Sequence, residues 1–270
     1  LITLKKTSEL RNRLVELAPF VIAFSAGKDS AFLLREALRA VDKEHISAVF
    51  IDSPLVTDFD RQRLNYYQKR FDMSIQIVRL APLAEKAIAQ NSPERCYYCK
   101  KFLFTALMDW AKAKYVNARL LDGSTASDVD AYRPGRRALA EMGVISPLQE
   151  LGIRSEEIVA ALKRWHVPGP YLCSSSCLAT RVPYYIHLNE ALLRQVEAME
   201  SFWHDLGIVD VRCRVIEDGC RVELPRRFYG QALRHSDQAV ERSRQIGFKW
   251  IALDLEPVRS GPWDKKTPDK

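Results

Sequence analysis

Long apolar runs are missing from this 270-residue chain. Nothing in it approaches the roughly 20 apolar residues that a membrane-crossing helix requires, and the N-terminus has no signal-like apolar core. No membrane partner is expected. A cytoplasmic setting is, and there six cysteines read as metal-binding or catalytic thiols sooner than as disulfides. Metal-site spacing is nearly missing too. One Cys-x-x-Cys occurs with no second copy and no His pair, so a structural zinc site lacks half of its ligands. The glycines and Lys-Ser or Lys-Thr of a Walker loop are absent, as are internal repeats and low-complexity segments. No second basic–aromatic module marks an RNA-binding protein, so nucleic acid is not expected as the partner.

What is present is an ordinary globular composition. Hydrophobic residues make up 47% and charged residues 28%, enough for one large domain or two modest ones. A net charge of +7 suits a polyanion, a nucleotide first.

Behind the apolar run Phe20 to Phe24 stands Ser25-Ala26-Gly27-Lys28-Asp29-Ser30, and from Asp29 to Val41 the apolar residues fall at helical spacing. A strand, a small-residue turn and a helix make a phosphate site, because the first helical turn has free N–H groups and a favourable dipole. Gly27 lets the backbone approach a ligand, and the Ser25 and Ser30 hydroxyls add hydrogen bonds. A Ser-capped core helix is the plainer alternative.

The rest of the first half alternates. A helix is expected before Ala18, strands at Ile46 to Ile51, Ser74 to Val78 and Ala118 to Leu121, and helices at Asp58 to Phe71 and Lys100 to Lys114. The pattern predicts an α/β fold with a doubly wound parallel sheet. Its ligand edge collects the Ser25 turn, Asp52-Ser53-Pro54 and Asp122-Gly123-Ser124, so Asp52, Ser53 and Gly123 join the candidate nucleotide set.

Val167-Pro168-Gly169-Pro170 reads as a linker between a domain of residues 1–168 and a smaller α+β domain of residues 169–270. In the latter a helix is expected from Asn189 to Leu206, with Leu192, Leu193, Val196, Met199, Phe202 and Trp203 inward. A hairpin follows, turning at Glu217-Asp218-Gly219, then a helix at Asp237 to Ile246 and a strand at Phe248 to Leu253. The charged, Pro-rich tail from Glu256 is expected to fray. Strand alternation puts Arg212 and Arg214 on one face and Cys213 on the other, and Arg221 and Glu223 on one face with Cys220 opposite. Cys213 and Cys220 are therefore core thiols, and two arginines facing one way suit a phosphate.

Two thiol clusters remain. Arg95-Cys96-Tyr97-Tyr98-Cys99-Lys100, placed just ahead of a helix, can chelate a metal, form a redox pair or hold two unligated cysteines. The stretch Cys173 to Tyr184 sets Cys177 beside Arg181, an arrangement that fits an activated thiolate or a packed loop with an inert thiol.

The hexapeptide resembles the S-G-G-x-D-S loop of the PP-loop ATP pyrophosphatases, with Ala26 for one glycine and Lys28 at the variable position. Together with R-C-Y-Y-C-K-K, D-G-S-T-A-S-D, Y-R-P-G-R-R-A-L, G-V-I-S-P-L and C-L-A-T-R-V-P-Y, in that order from about Val21 to Glu223, the chain resembles the LarE family. That resemblance implies a PP-loop domain and a small second domain. It also implies an ATP-dependent sulfurtransferase that adenylylates a carboxylate of pyridinium-3,5-biscarboxylic acid mononucleotide and converts it to a thiocarboxylate for the nickel-pincer nucleotide. By position, Ser25, Gly27, Asp29 and Ser30 would hold ATP phosphates, with Asp29 also near Mg²⁺. Cys177 would be the sulfur-donating cysteine. Arg212, Arg214, Glu223 and Glu200 would surround the substrate's phosphate. Ser127 stands where an acid is usual and Tyr185 where glycine is usual.

Cys96 and Cys99 followed by Cys177 also resemble the three-cysteine ligand set of the iron–sulfur tRNA thiolases. A 4Fe–4S cluster on Cys96, Cys99 and Cys177 is therefore expected in preference to sacrifice of Cys177, with Cys173, Cys213 and Cys220 outside it. A tRNA thiolase and a non-catalytic nucleotide- or metal-binding protein are the alternative functions, and a homo-oligomer is left open.

Overall fold

A computed structural model describes residues 2–128, 134–173 and 176–258. The start of the Tyr132-Arg133-Pro134 motif, Ser174-Ser175 and most of the tail expected to fray lie outside the described residues. In chain order the elements are α1 (Leu4–Leu17), β1 (Phe20–Ala23), α2 (Lys28–Ala40), β2 (Ile46–Asp52), α3 (Asp58–Phe71), β3 (Gln76–Arg79), α4 (Lys86–Ala89) and α5 (Arg95–Lys114). There follow β4 (Arg119–Leu121), α6 (Pro134–Glu141), α7 (Pro147–Glu150), α8 (Ser155–Arg164), α9 (Glu190–Asp205), β5 (Arg212–Ile216), β6 (Gly219–Glu223), α10 (Tyr229–Arg234), α11 (Ser236–Ile246) and β7 (Ile251–Leu253).

The chain divides into two compact units. The larger holds residues 1–53, 60–82 and 96–175; the smaller holds 54–59, 83–95 and 176–270.

The larger unit is built on a four-stranded, all-parallel sheet in the order β3-β2-β1-β4. The α/β fold with a parallel sheet expected from the alternating pattern is thus present. Consecutive strands move to one side of β1 and then, at β4, to the other. Right-handed crossovers therefore put α2 and α3 on one face and α5 on the opposite one. Val21, Val49 and Leu120 share the α5 face and pack with Phe104, Leu107, Ala111 and Leu139. The sheet continues past β4 by one bridge, Leu121 to Ile145, which no periodicity in the sequence announces.

An aromatic cluster anchors α3. Tyr67 is fully buried, edge-on to Phe24 at 6.1 Å and stacked on Phe71 at 5.4 Å between centroids. Around it Tyr66 and Tyr171 meet at 4.8 Å.

The smaller unit has a three-stranded sheet, β5-β6-β7, in which β5 and β6 form an antiparallel hairpin and β7 joins β6 in parallel. Asn189 caps α9, its side chain accepting the Leu192 N–H at 2.9 Å. Leu193, Val196, Met199 and Trp203 are buried as periodicity predicts, and Glu200 is buried among them.

The Cys-x-x-Cys segment corrects the sequence reading. It does not precede a helix but forms the opening turns of α5, which begins at Arg95. The Arg95 N–H donates to the Ser92 carbonyl at 2.9 Å, and Ser92-Pro93-Glu94 is a helix-start signature that the apolar pattern concealed.

Tyr67→Ala should cost about 3–5 kcal/mol, the range for large aromatic truncations in a packed core. Urea denaturation is expected to show a lower midpoint at unchanged slope, whereas Val116→Ser, at an exposed position, should shift stability by no more than about 0.5 kcal/mol.

Candidate functional site

In the larger unit, β1 runs through Phe24, whose N–H donates to Val49 O at 2.9 Å, into the Ser25–Ser30 turn. Ala26 takes φ +57°, the left-handed conformation that glycine adopts without strain, which is why a glycine is expected there. Gly27 is the N-cap of α2 and supplies no side-chain cap, so the first helical N–H groups face the turn. Ser25 Oγ accepts the Gly27 N–H at 3.3 Å and lies 3.2 Å from Ser30 Oγ, which donates to Gly27 O at 3.0 Å.

Opposite the turn, the end of β4 comes close. A Cβ on Gly123 would lie 2.9 Å from Ser30 N, so only glycine fits against the start of α2. The crevice between β1 and β4 is where the strand order reverses, the place where open parallel sheets bind ligands. Asp122 is held by Ser124 Oγ and Ser146 Oγ, each donating at 2.6 Å. Asp52, at the end of β2, accepts from Arg61 Nε at 2.9 Å, and Arg61 Nη2 reaches Ser53 O at 3.2 Å.

Asp29 accepts from Lys28 Nζ at 2.9 Å and from Ser155 Oγ at 3.4 Å. Burial raises its pKa against the opposing charge and hydrogen bond of Lys28. Ser127 acts on this group through Ser155. Its Oγ accepts the Ser155 N–H at 3.1 Å and so seats the residue that touches Asp29. Lys28, Ser146 and Ser155 are site residues that sequence reasoning passed over. Lys28 occupies a variable motif position, and the two serines arrive through tertiary structure.

Cys96 and Cys99, both half-buried, stand three residues apart on α5 and so share a face of that helix. A Cβ on Gly135 would lie 3.4 Å from the Cys96 carbonyl and 3.0 Å from Lys100 Cγ, so α6 packs tightly on this turn. Cys173 is half-buried, its carbonyl accepting from Arg63 Nη1 at 3.2 Å.

The smaller unit gathers five of the predicted residues. Arg181 and Glu200, each 1% exposed, form a two-point pair, Nε to Oε1 at 2.9 Å and Nη2 to Oε2 at 3.0 Å. Glu200 Oε1 also accepts the Cys213 N–H at 2.8 Å. Arg214 Nε lies 2.7 Å from Glu223 Oε1, and Arg214 Nη1 donates to Thr180 O at 2.8 Å. Arg212, 9% exposed, donates to Val211 O at 2.7 Å and has Asp210 at 3.9 Å. Arg214 and Glu223 on the arginine face of the hairpin are therefore nearly as buried as Cys213 and Cys220, with α9 and the 3-10 turn Leu178–Arg181 packed against β5.

Cys177 leads into that 3-10 turn with its side chain exposed and its carbonyl fixed. Thr180 Oγ1 donates to that carbonyl at 2.8 Å and Arg181 Nη1 at 3.2 Å, so Arg181 grips the backbone of Cys177. Leu178 N–H is tied to Leu55 O at 2.9 Å.

No family model matches the chain. Over 256 residues it is 31% identical to the pyridinium-3,5-bisthiocarboxylic acid mononucleotide synthase of Lactiplantibacillus plantarum, spanning 95% of this chain and 92% of that protein. The chain belongs to the LarE family of sulfurtransferases. It is also 26% identical to an uncharacterized protein of Methanocaldococcus jannaschii over 96% of this chain and all of that one. With an uncharacterized protein of Synechocystis the identity is 28% over 95% and 96%. No helix among the described residues is long and apolar enough to cross a membrane.

Two departures from the LarE pattern have a backbone meaning. Tyr185, like Ala26, stands at a position where glycine is usual and has a positive φ, +68°. Its N–H donates to the buried Asn91 at 2.9 Å, and Asn91 Nδ2 donates to Pro183 O at 2.8 Å, so the strained conformation is held by its neighbours.

The charge cluster generates a pH dependence. Burial alone would raise the Glu200 pKa, but the charge and hydrogen bonds of Arg181, then Arg212 and the Cys213 N–H, hold it below the ordinary carboxylate value. Burial pushes His204 down, opposed by Glu200 and reinforced by Arg212 and Arg181. A depressed histidine stabilises the fold above its unfolded pKa, and that stability is lost as pH falls through the ordinary histidine range toward the folded value. Stability should therefore decline between about pH 7 and 5, and less steeply in His204→Gln. Glu200→Gln, which leaves Arg181 without its carboxylate, should cost about 3–5 kcal/mol at pH 7 by urea denaturation.

Proposed function

We propose that this LarE family member adenylylates a carboxylate of pyridinium-3,5-biscarboxylic acid mononucleotide with ATP and converts it to a thiocarboxylate. A carboxylate oxygen attacks the α-phosphorus and pyrophosphate leaves; a sulfur nucleophile then displaces AMP from the acyl carbon. The observation that carries the reading is the closeness of Gly123 to Ser30 at the switch point, where the uncapped start of α2 opens. Ser25, Gly27 and Ser30 would bind phosphate oxygens there through N–H and hydroxyl groups, with Asp52, Ser53 and Gly123 as neighbouring walls. Asp29 is the carboxylate at this turn that fits Mg²⁺, a hard cation that takes oxygen ligands. Arg212 and Arg214, the latter fixed by Glu223 and the Thr180 carbonyl, would hold the acceptor's phosphate, and the Arg181–Glu200 pair would order the turn beside them.

For sulfur delivery we propose a 4Fe–4S cluster on Cys96, Cys99 and Cys177. What supports this reading is that, within the larger unit, two half-buried thiols share one face of α5 and that, within the smaller, Cys177 offers an exposed thiol on a fixed backbone. Held by these three thiolates, a bound cluster would supply an iron able to take up sulfide. Cys173 stays outside the set, and Cys213 and Cys220 are sealed in the hairpin core.

ATP–pyrophosphate exchange should depend on the biscarboxylate, be abolished in Asp29→Ala, and fall at least tenfold in Gly123→Ala, whose new methyl meets the Ser30 backbone. Release of ADP and phosphate, or exchange that requires RNA instead of the biscarboxylate, would reject the assignment.

The cysteines give an independent readout. Anaerobically purified protein should be brown, and Cys96→Ala, Cys99→Ala and Cys177→Ala should each remove the colour while Cys173→Ala keeps it. A colourless protein after anaerobic reconstitution, whose Cys177 loses about 34 Da on turnover as thiol elimination requires, would replace the cluster by a sacrificial Cys177.

A further inference from the structure

A second concentration of positive charge lies in the larger unit, away from the phosphate turn. A cleft of about 250 Å³ opens between α1, α2 and the end of α8, lined by Arg11, Arg35, Arg39 and Arg164. The acidic residue in its lining is Glu36, which is 1% exposed and fully engaged. Its Oε2 takes Arg11 Nε at 2.8 Å and Nη2 at 2.7 Å, and its Oε1 takes Arg35 Nη1 at 3.1 Å. Four guanidinium groups against one carboxylate leave a surplus of three positive charges. Arg39 and Arg164 make no ion pair among the described residues.

From this we infer that the cleft is a second anion site and takes a small oligophosphate, such as pyrophosphate or tripolyphosphate. Arginine forks match phosphate oxygens in geometry, and guanidinium groups crowded in one concavity repel each other until an anion neutralises them. Arg35 carries the sign of that crowding: burial pushes its guanidinium pKa down against the pull of Glu36, and the Arg39 and Arg11 charges push it further. Its position is already fixed, because the guanidinium lies 3.3 Å over the Trp165 ring and Trp165 is stacked on Phe32 at 5.3 Å. Little side-chain freedom is then left to lose on binding. The same stacking occupies the aromatic surface of the cleft, which disfavours a nucleic acid, since single strands bind by laying bases on such rings. Spacing separates this site from the phosphate turn: Ser30 and Arg39 are nine residues apart on α2, about 13 Å of helix.

Binding of tripolyphosphate to the full chain, followed by calorimetry and by the rise in unfolding temperature, tests the inference. Arg39→Ala/Arg164→Ala should weaken tripolyphosphate binding at least tenfold and remove most of the thermal stabilisation. Biscarboxylate-dependent ATP–pyrophosphate exchange should stay at the wild-type rate, so this test and that of the proposed function fail separately. Both residues are exposed, and the single variants Arg39→Gln and Arg164→Gln give the same reading with less change to the surface. Unchanged tripolyphosphate affinity in all three variants would return these arginines to a solvated surface. Retained oligophosphate binding with lost binding of an RNA oligonucleotide would make the cleft a nucleic-acid contact and overturn the inference.

Discussion

A carboxylate without access to water needs a cation, and Glu200 finds it in Arg181. An isolated buried pair of this kind adds little to net stability, because desolvation offsets most of the attraction. Its value lies in what else the two groups hold. Glu200 takes the Cys213 N–H of β5, and Arg181 donates to Ser176 O at 2.8 Å and to the Cys177 carbonyl at 3.2 Å. One ion pair thus joins α9, the hairpin and the segment that presents the exposed thiol. Removing either charge strands the other in a region with no solvent to receive it. The loop of Cys177 is consequently held by this charge pair as well as by the burial of Leu178, Ala179 and Val182 beside it.

The Ser25–Ser30 turn of the larger unit is built the other way. Its polar groups are backbone N–H groups and serine hydroxyls, which carry no net charge to desolvate. Crowding does the positioning: Gly123 is pressed against Ser30, and Gly27 sits 3.2 Å (as an added Cβ) from Ser25 Oγ. Lys28, folded back onto Asp29, supplies a cation beside the turn.

Much of the fold was legible because its signals are periodic. The alternation of short apolar runs with 3.6-spaced segments yields the parallel sheet, and α3 falls at the expected residues, Asp58–Phe71. The start of α5 was hidden because Cys96, Tyr97, Tyr98 and Cys99 make no apolar stripe, although Ser92-Pro93 ahead of them marks a helix start. The bridge at Ile145 involves one residue and has no period to detect. In the site, two-residue alternation sorted Arg212 and Arg214 from Cys213, since the pleat alone decides that. Burial of the arginine face depends on what packs over it, and no local pattern carries that information. Ser155 reaches Asp29 for the same reason, by tertiary placement.

The interleaving of the two units governs how the molecule can be made and taken apart. The chain passes between them five times, and residues 54–59 and 83–95 belong to the later-synthesised unit. Leu55 O waits for the Leu178 N–H, Ala89 O for Leu188, and Asn91 O for Tyr185. On a ribosome, Leu55 would emerge about 120 residues before its partner, a closure whose entropy must be met late. Neither unit therefore corresponds to one contiguous fragment. Stopping synthesis near residue 175 strands two segments of the smaller unit without their partners, and a protease nick between the units would leave pieces still pinned together by these backbone bonds.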